Sequence, residues 1–158
     1  MGDRTTMSHL EQLSYCGLYC GLCAQNSRIP ELSKRLRDTM GKEGYPHWGQ
    51  RIPGFKELWS YLERLCSSGE KTCCRMDSCG VPSCGIRKCA QEKKLEVCIL
   101  CNEDPCSRIL SLAKGYPTLL ADGERMKEIG IEKWVKEQED RRQTGFACVD
   151  IRCYPYDV

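Results

Sequence analysis

The chain has 158 residues, which is enough for one domain with its own hydrophobic core. Fourteen of them are cysteine, a share typical of disulfide scaffolds in secreted proteins and of metal sites inside cells. The formal net charge is +2, and every four-thiolate site around a divalent ion would add −2 to it. Because nucleic-acid-binding domains are strongly basic, this charge disfavours DNA or RNA as a partner.

Two features of the sequence bear on its location. The first ten residues include Asp3, Arg4 and His9 and lack the apolar segment of a secretory signal. The longest charge-free run, residues 12–27, is too short and too polar to cross a bilayer. We therefore expect a cytoplasmic protein with reduced thiols and no membrane partner.

Helical periodicity, together with stop signals, predicts five helical segments in chain order. They span residues 31–40, 55–66, 86–94, 105–114 and 118–138, and the last is interrupted by Gly123 and Gly130. Residues 41–54 are rich in turn signals. The tail from Phe146 to Tyr156 alternates apolar and polar residues, which predicts a brief strand.

Two of these segments contribute predicted core residues. The segment 55–66 has an apolar stripe that we interpret as core and not as the lining of a ligand cleft. The stripe consists of Phe55, Leu58, Trp59, Leu62 and Leu65. In the last segment a narrow seam predicts a surface helix packed on the body. The seam consists of Ile131, Trp134, Val135 and Gln138.

The predicted architecture is a small, mostly α, metal-stabilised domain in which short amphipathic helices join cysteine knuckles, with at most a short C-terminal strand. We divide the chain into an N-terminal extension (1–14), a cysteine-rich metal-binding domain (15–115), and a helical appendage with the tail (116–158).

The first cysteine motif contains Cys16, Cys20 and Cys23, and glycine directly follows the first two. Glycine permits the positive φ angles and close backbone approach that a thiolate knuckle needs. Radical enzymes with an iron–sulfur cluster share this spacing. They are disfavoured here, because they use a (β/α) barrel of more than about 200 residues, whereas this chain predicts helices without alternating strands.

The second group of cysteines supplies more than one tetrahedral site. Its members are Cys73, Cys74, Cys79, Cys84, Cys89, Cys98, Cys101 and Cys106. The C-x2-C pair of Cys98 and Cys101 is typical of zinc sites. Such pairs suit metal ligation by thiolates better than disulfide bonding, and disulfides are the alternative interpretation of these cysteines. Nearby Arg87, Lys88, Lys93 and Lys94 are interpreted as compensating thiolate charge, with a nucleic-acid patch as the alternative.

We predict two four-thiolate zinc sites. The first combines Cys16, Cys20 and Cys23 with one cysteine from the range 73–79, with Cys74 and Cys79 as the candidates. The second is drawn from Cys84, Cys89, Cys98, Cys101 and Cys106. Cys66, Cys73, Cys148 and Cys153 are left unassigned. An iron–sulfur cluster is the alternative cofactor, because it also takes four thiolates.

The sequence lacks the motifs of hydrolases and nucleotide-binding enzymes. Its two histidines, His9 and His47, lie in an N-terminal stretch and a turn, so neither predicts a catalytic zinc. We therefore expect a zinc-stabilised binding or adaptor module with a protein partner, and no enzyme. The alternative is an iron–sulfur or thiol-based redox or sulfur-handling protein.

Several strings of this sequence resemble a cysteine-rich prokaryotic family, domain of unknown function 3795. They are residues 15–23 (YCGLYCGLC), residues 84–94 (CGIRKCAQEKK), the pair Cys98 and Cys101, and residues 102–106 (NEDPC). The resemblance runs from about Tyr15 to Leu110 and implies a zinc-binding domain without a settled activity. Many members have C-x-G-C where this chain has Cys73 and Cys74 followed by Arg75 and Met76, so either cysteine could be the ligand.

Overall fold

Helices make up the regular structure of the protein in the computed structural model, which describes residues 9–68, 73–76 and 81–152. These residues contain seven α-helices and no β-strand. The helices are α1 (Arg28–Lys42), α2 (Tyr45–Trp48), α3 (Phe55–Ser67), α4 (Gly85–Glu92), α5 (Ser107–Ala113), α6 (Leu119–Ile129) and α7 (Ile131–Gln143). The prediction of a mostly α domain is confirmed.

Several boundaries differ from those predicted: α1 begins at Arg28, α2 forms within the turn-rich residues 41–54, α7 continues to Gln143, and two glycines do not stop their helices. The first predicted helix continues through Gly41, because the amide groups at its end still find helical carbonyl partners. Gly123 does not interrupt α6. It is buried against Ile99, where a Cβ atom would lie 3.3 Å from a methyl carbon, so the glycine permits close packing and not a break. Gly130, with φ +86°, separates α6 from α7 as predicted.

The predicted strand at the tail is wrong over the residues that the structure describes there, 146–152. A 3₁₀ turn forms at Cys148–Asp150 instead. The Asp150 carboxylate accepts a hydrogen bond from the Ala147 amide at 3.0 Å, and the Asp150 amide donates to the Ala147 carbonyl at 2.9 Å. This local side-chain hydrogen bond competes with an extended backbone, which the alternating pattern alone does not reveal.

The main hydrophobic core joins the N-terminal cysteine region to the last two helices. Leu13, Tyr19, Leu22 and Val97 pack against residues of α6 and α7 in one buried cluster. The residues from the two helices are Met126, Trp134 and Val135. Trp134, Val135 and Gln138 of the predicted seam are therefore buried, and Ile131 is partly buried against the same cluster.

A second unit is a hairpin of α1 and α3. The Phe55 ring at the start of α3 lies 6.2 Å from the Tyr45 ring just beyond α1, so α3 begins beside the end of α1 and runs back along it. Phe55 and Leu62 are buried as predicted, whereas Leu58 of the same stripe is exposed. The prediction fails at Leu58, and Trp59 and Leu65 of the stripe are partly buried. Among the described elements, α3 packs mainly on α1.

No helix among the described residues is both long enough and apolar enough to cross a membrane.

Candidate metal centre

Short 3₁₀ turns hold two cysteines of each predicted site. The turns Cys20–Leu22 and Cys98–Leu100 each begin at a cysteine. In each turn the amide of the next cysteine donates to the carbonyl of the first, from Cys23 at 3.0 Å and from Cys101 at 2.9 Å. This geometry brings two thiols of each motif to neighbouring positions of one tight turn.

The core fixes these turns in place. Tyr19, Leu22 and Val97 are buried, and they directly precede Cys20, Cys23 and Cys98 in the sequence. The Cys98 amide also donates to the Tyr15 carbonyl at 2.7 Å, which ties the second knuckle to the first. The same packing that forms the core therefore positions three candidate ligands.

Four candidate ligands line one cavity of about 100 Å³. They are Cys89 on α4, Cys98 and Cys101 of the knuckle, and Cys106 at the start of α5. Four cysteines around one space are the donor set of a structural zinc site. Of the five cysteines predicted for the second site, four thus share one cavity, and Cys84 is the one outside its lining.

The electrostatics of this cavity disfavour a bare thiolate. Burial, together with the charges of the neighbouring Cys16, Cys106 and Cys89, raises the pKa of the Cys98 thiol to about 12. The Lys93 ammonium donates to the Cys101 sulfur at 3.6 Å and lies 3.0 Å from the Glu103 carboxylate. A cation beside a cysteine sulfur can compensate the negative charge of a thiolate, which is the role predicted for Lys93.

A second thiol group forms at the first motif. The sulfur atoms of Cys20 and Cys73 lie 3.3 Å apart, and the Cys73 sulfur is also 3.3 Å from the Glu11 carbonyl oxygen. Hydrogen bonds from Cys20 and Cys74 lower the pKa of Cys73, and the pKa values of Cys20 and Cys74 are raised in turn. Cys73 therefore lies between Cys20 and Cys74, within hydrogen-bonding reach of both thiols.

Cys16 lies between the two groups. Its sulfur is 3.0 Å from the Ser14 hydroxyl, and burial raises the pKa of its thiol. It is close enough to Cys74, Cys84 and Cys98 for their charges to interact with its own. The structure thus places Cys20 in contact with the 73–76 segment and Cys16 near it.

Cys23 caps the turn that begins at Cys20, and it also has neighbours outside the first predicted site. Its charge acts on Cys148 and Tyr116, and it contributes to raising the pKa of the Cys148 thiol to about 11, although burial contributes more. Cys66 is buried within α3 of the hairpin. The predicted ligand Cys79 and the unassigned Cys153 lie outside the described residues.

Across residues 9–68, 73–76 and 81–152, no three histidine, cysteine or carboxylate side chains are close enough together to hold one metal ion. No disulfide joins the cysteines within these ranges. The donor set around the cavity fits zinc in chemistry and number, and its sulfurs would have to close inward to ligate an ion.

Sequence reasoning left Cys73 unassigned, and the structure places it in contact with Cys20. Its position next to Cys74 was the available signal, but spacing cannot show which of two adjacent thiols turns inward.

His47, which the sequence did not assign to a metal site, is exposed on α2.

The comparisons with known proteins agree with the extent of the cysteine motifs. A family model described as a protein of unknown function (DUF3795) matches residues 12–111. This range contains every candidate ligand from Cys16 to Cys106 and ends before α6 and α7. No curated protein and no solved structure matches the chain. Because the match covers more than half of the sequence, the chain belongs to the DUF3795 family.

Proposed function

We propose that this protein is a metal–thiolate binding or adaptor module in which Cys89, Cys98, Cys101 and Cys106 ligate one structural zinc ion. The observation that carries the proposal is the cavity that these four cysteines share. A zinc ion with four thiolates is closed to substrate, so it stabilises the fold and takes no part in turnover.

Charge supports this assignment. A tetrathiolate zinc site carries −2, and Lys93 already contacts the Cys101 sulfur. A divalent ion would also offset the burial that makes the Cys98 thiol hard to ionise. Ligation at about 2.3 Å would draw the four sulfurs toward the centre of the cavity.

A second zinc site at the first motif belongs to the same proposal. Its ligands are Cys16, Cys20 and Cys23 with one cysteine from residues 73–79, and the contact with Cys20 makes Cys73 a candidate for the fourth ligand beside Cys74. Cys79 stays a further candidate.

The experiment is metal analysis of protein purified without oxygen or chelator, compared with the variant Cys106→Ser and the control variant Cys66→Ala. Loss of about one zinc per chain from Cys106→Ser alone is expected. Cys66 is the matched control because it is also a buried thiol, but it lies on the hairpin and away from the cavity. Equal zinc content in both variants contradicts the assignment of the cavity.

A redox or sulfur-handling role is the second candidate, and the contact between Cys20 and Cys73 favours it. Two sulfurs 3.3 Å apart are close enough to be joined by a disulfide after a small movement. Stoichiometric iron with the visible absorption of a cluster, or a Cys20–Cys73 disulfide in protein prepared without reductant, would favour this candidate over zinc.

A further inference from the structure

The side chain of Arg75 joins three segments that carry candidate ligands. Arg75 lies in the short 3₁₀ turn Cys74–Met76, directly after the two adjacent cysteines. Its Nε donates to the Leu13 carbonyl, and its Nη2 donates to the Glu96 carbonyl. Its guanidinium also lies over the Tyr15 ring, 4.7 Å from the ring centroid. One side chain therefore holds this turn against two other parts of the chain.

The partners of Arg75 lie next to ligands of both proposed zinc sites. Tyr15 directly precedes Cys16 of the first motif. Glu96 comes two residues before Cys98, which lines the cavity of the second site. Because Arg75 also follows a candidate ligand of the first site, its contacts connect the first motif, the 73–76 segment and the second knuckle.

Tyr15 makes a second connection between the same segments. Its backbone amide donates to the Cys74 sulfur, and its carbonyl accepts a hydrogen bond from the Cys98 amide at 2.7 Å. Its ring lies beneath the Arg75 guanidinium. Arg75 therefore holds in place a residue that is hydrogen-bonded to a candidate ligand of each site.

These contacts require arginine and not positive charge alone. A guanidinium carries several N–H donors in one rigid plane, so it can bind two carbonyls and still stack on an aromatic ring. A lysine ammonium is a point charge on a flexible stem and has no flat face. Arg75 and Tyr15 are both half-buried, so their contacts are partly shielded from solvent.

The arrangement links the order of one site to the order of the other. Ligation of a first zinc ion fixes the segments that carry its sulfurs, which costs conformational entropy. Because Arg75 holds the 73–76 segment, Tyr15 and Glu96 together, fixing one of them also restrains the other two. A second ion would then bind ligands that are already ordered, and less entropy is lost.

We propose that Arg75 is a positioning residue that couples the two zinc sites through its bonds to two carbonyls and its contact with Tyr15. Zinc in either site raises the affinity of the other site for zinc, and the effect is equal in both directions. The inference rests on the proposed function and adds a thermodynamic link between its two sites.

Competition with a chromophoric zinc chelator measures this coupling in the full chain, purified without oxygen and kept reduced. Cys106→Ser leaves the first site, and Cys20→Ser leaves the cavity site, so each variant gives one single-site association constant. The overall constant of the wild type for two zinc ions is divided by the product of these two constants. This ratio, the coupling factor, is expected to be at least tenfold.

The same three measurements in an Arg75→Met background locate the coupling. The factor is expected to fall to about one, because methionine donates no hydrogen bond to either carbonyl. An arginine that only stabilises the fold would lower the single-site constants and leave the factor at its wild-type value. Arg75→Lys is also expected to lose the coupling, and it replaces Arg75→Met if that variant does not fold.

Arg64→Met is the matched control. Arg64 also lies over a tyrosine ring, 5.2 Å from the centroid of Tyr61, but both residues belong to α3 of the hairpin. The coupling factor of this variant is expected to equal that of the wild type.

Four results would overturn the inference: a coupling factor of about one in the wild type, an unchanged factor in Arg75→Met, full coupling in Arg75→Lys, or an equal loss in Arg64→Met. A single zinc ion per chain that Cys106→Ser removes would also overturn it and leave the cavity assignment standing. A chain that binds no zinc refutes the proposed function together with the inference, so the two failures can be told apart.

Discussion

Replacing Trp134 by alanine tests whether α7 supports the cysteine knuckles. Trp134 is 2% exposed and packs in the cluster with Tyr19, Leu22 and Val97, each of which precedes a candidate ligand. Removing a buried tryptophan costs about 3–5 kcal/mol, since the residual cavity adds to the lost transfer free energy. For a chain of this size, the melting temperature should fall by roughly 6–20 °C.

The assay is urea unfolding at a fixed free zinc concentration, with Trp48→Ala as the matched control. Trp48 is 44% exposed, so the same deletion there should cost at most about 1 kcal/mol, even though its indole N–H donates to the Glu43 carbonyl at 2.9 Å. The Trp134 indole N–H has no partner among the described residues, so Trp134→Phe should cost less than Trp134→Ala. An equal or larger loss for Trp48→Ala would refute the reasoning.

Three further predictions follow from local features. Gly17→Ala should lower the melting temperature, because Gly17 has φ +90° and the new Cβ would lie 3.2 Å from the Met126 methyl carbon. The net charge does not change, and an unchanged melting temperature would contradict the prediction. Hydrogen bonds from Arg28 and from the Ala147 amide lower the pKa of Asp150 to about 2, so the stability that the pairing with Arg28 contributes is present above about pH 4 and is lost as the pH falls toward 2. The difference in free energy of unfolding between wild type and Arg28→Gln should shrink over that range, and a constant difference would contradict this. The Cys148 thiol, with its pKa raised to about 11, should react slowly with an alkylating agent at neutral pH, and rapid selective labelling in peptide mass mapping would move the protein toward the redox class.

The helices could be predicted from sequence because their signals are local. The segment 55–66 has a clear apolar period and ends at the boundary that Ser67 marks, and α3 ends there in the structure. The sequence could not reveal which residues of an apolar stripe are buried by a neighbouring element. Leu58 has the same period as Leu62, but its exposure depends on what packs over the hairpin, a tertiary property.

The candidate site shows the same division. The C-x2-C spacing of Cys98 and Cys101 predicts a shared turn, and the turn is present. Contacts between distant segments, such as that of Cys20 with Cys73, depend on the folded path of more than fifty intervening residues. Sequence spacing alone does not distinguish Cys73, Cys74 and Cys79 as ligands. In the tail, the alternating pattern predicted a strand because it does not show the hydrogen bond that Asp150 accepts from the Ala147 amide.

Removing the metal gives a thermodynamic test of the zinc proposal. A ligand present at 100 times its Kd adds about 2.7 kcal/mol to the stability of the state that binds it. Chelation should therefore lower the melting temperature by roughly 5–10 °C or more, and by much less in Cys106→Ser. If wild type and Cys106→Ser respond equally to the chelator, the stabilising metal is not bound at this cavity.

The central claim is tested most directly by the zinc content of the intact chain purified without oxygen and without chelator. The account predicts at least one zinc per chain, reduced by about one in Cys101→Ser and unchanged in Cys66→Ala. Less than one zinc per chain, or stoichiometric iron in its place, would contradict it.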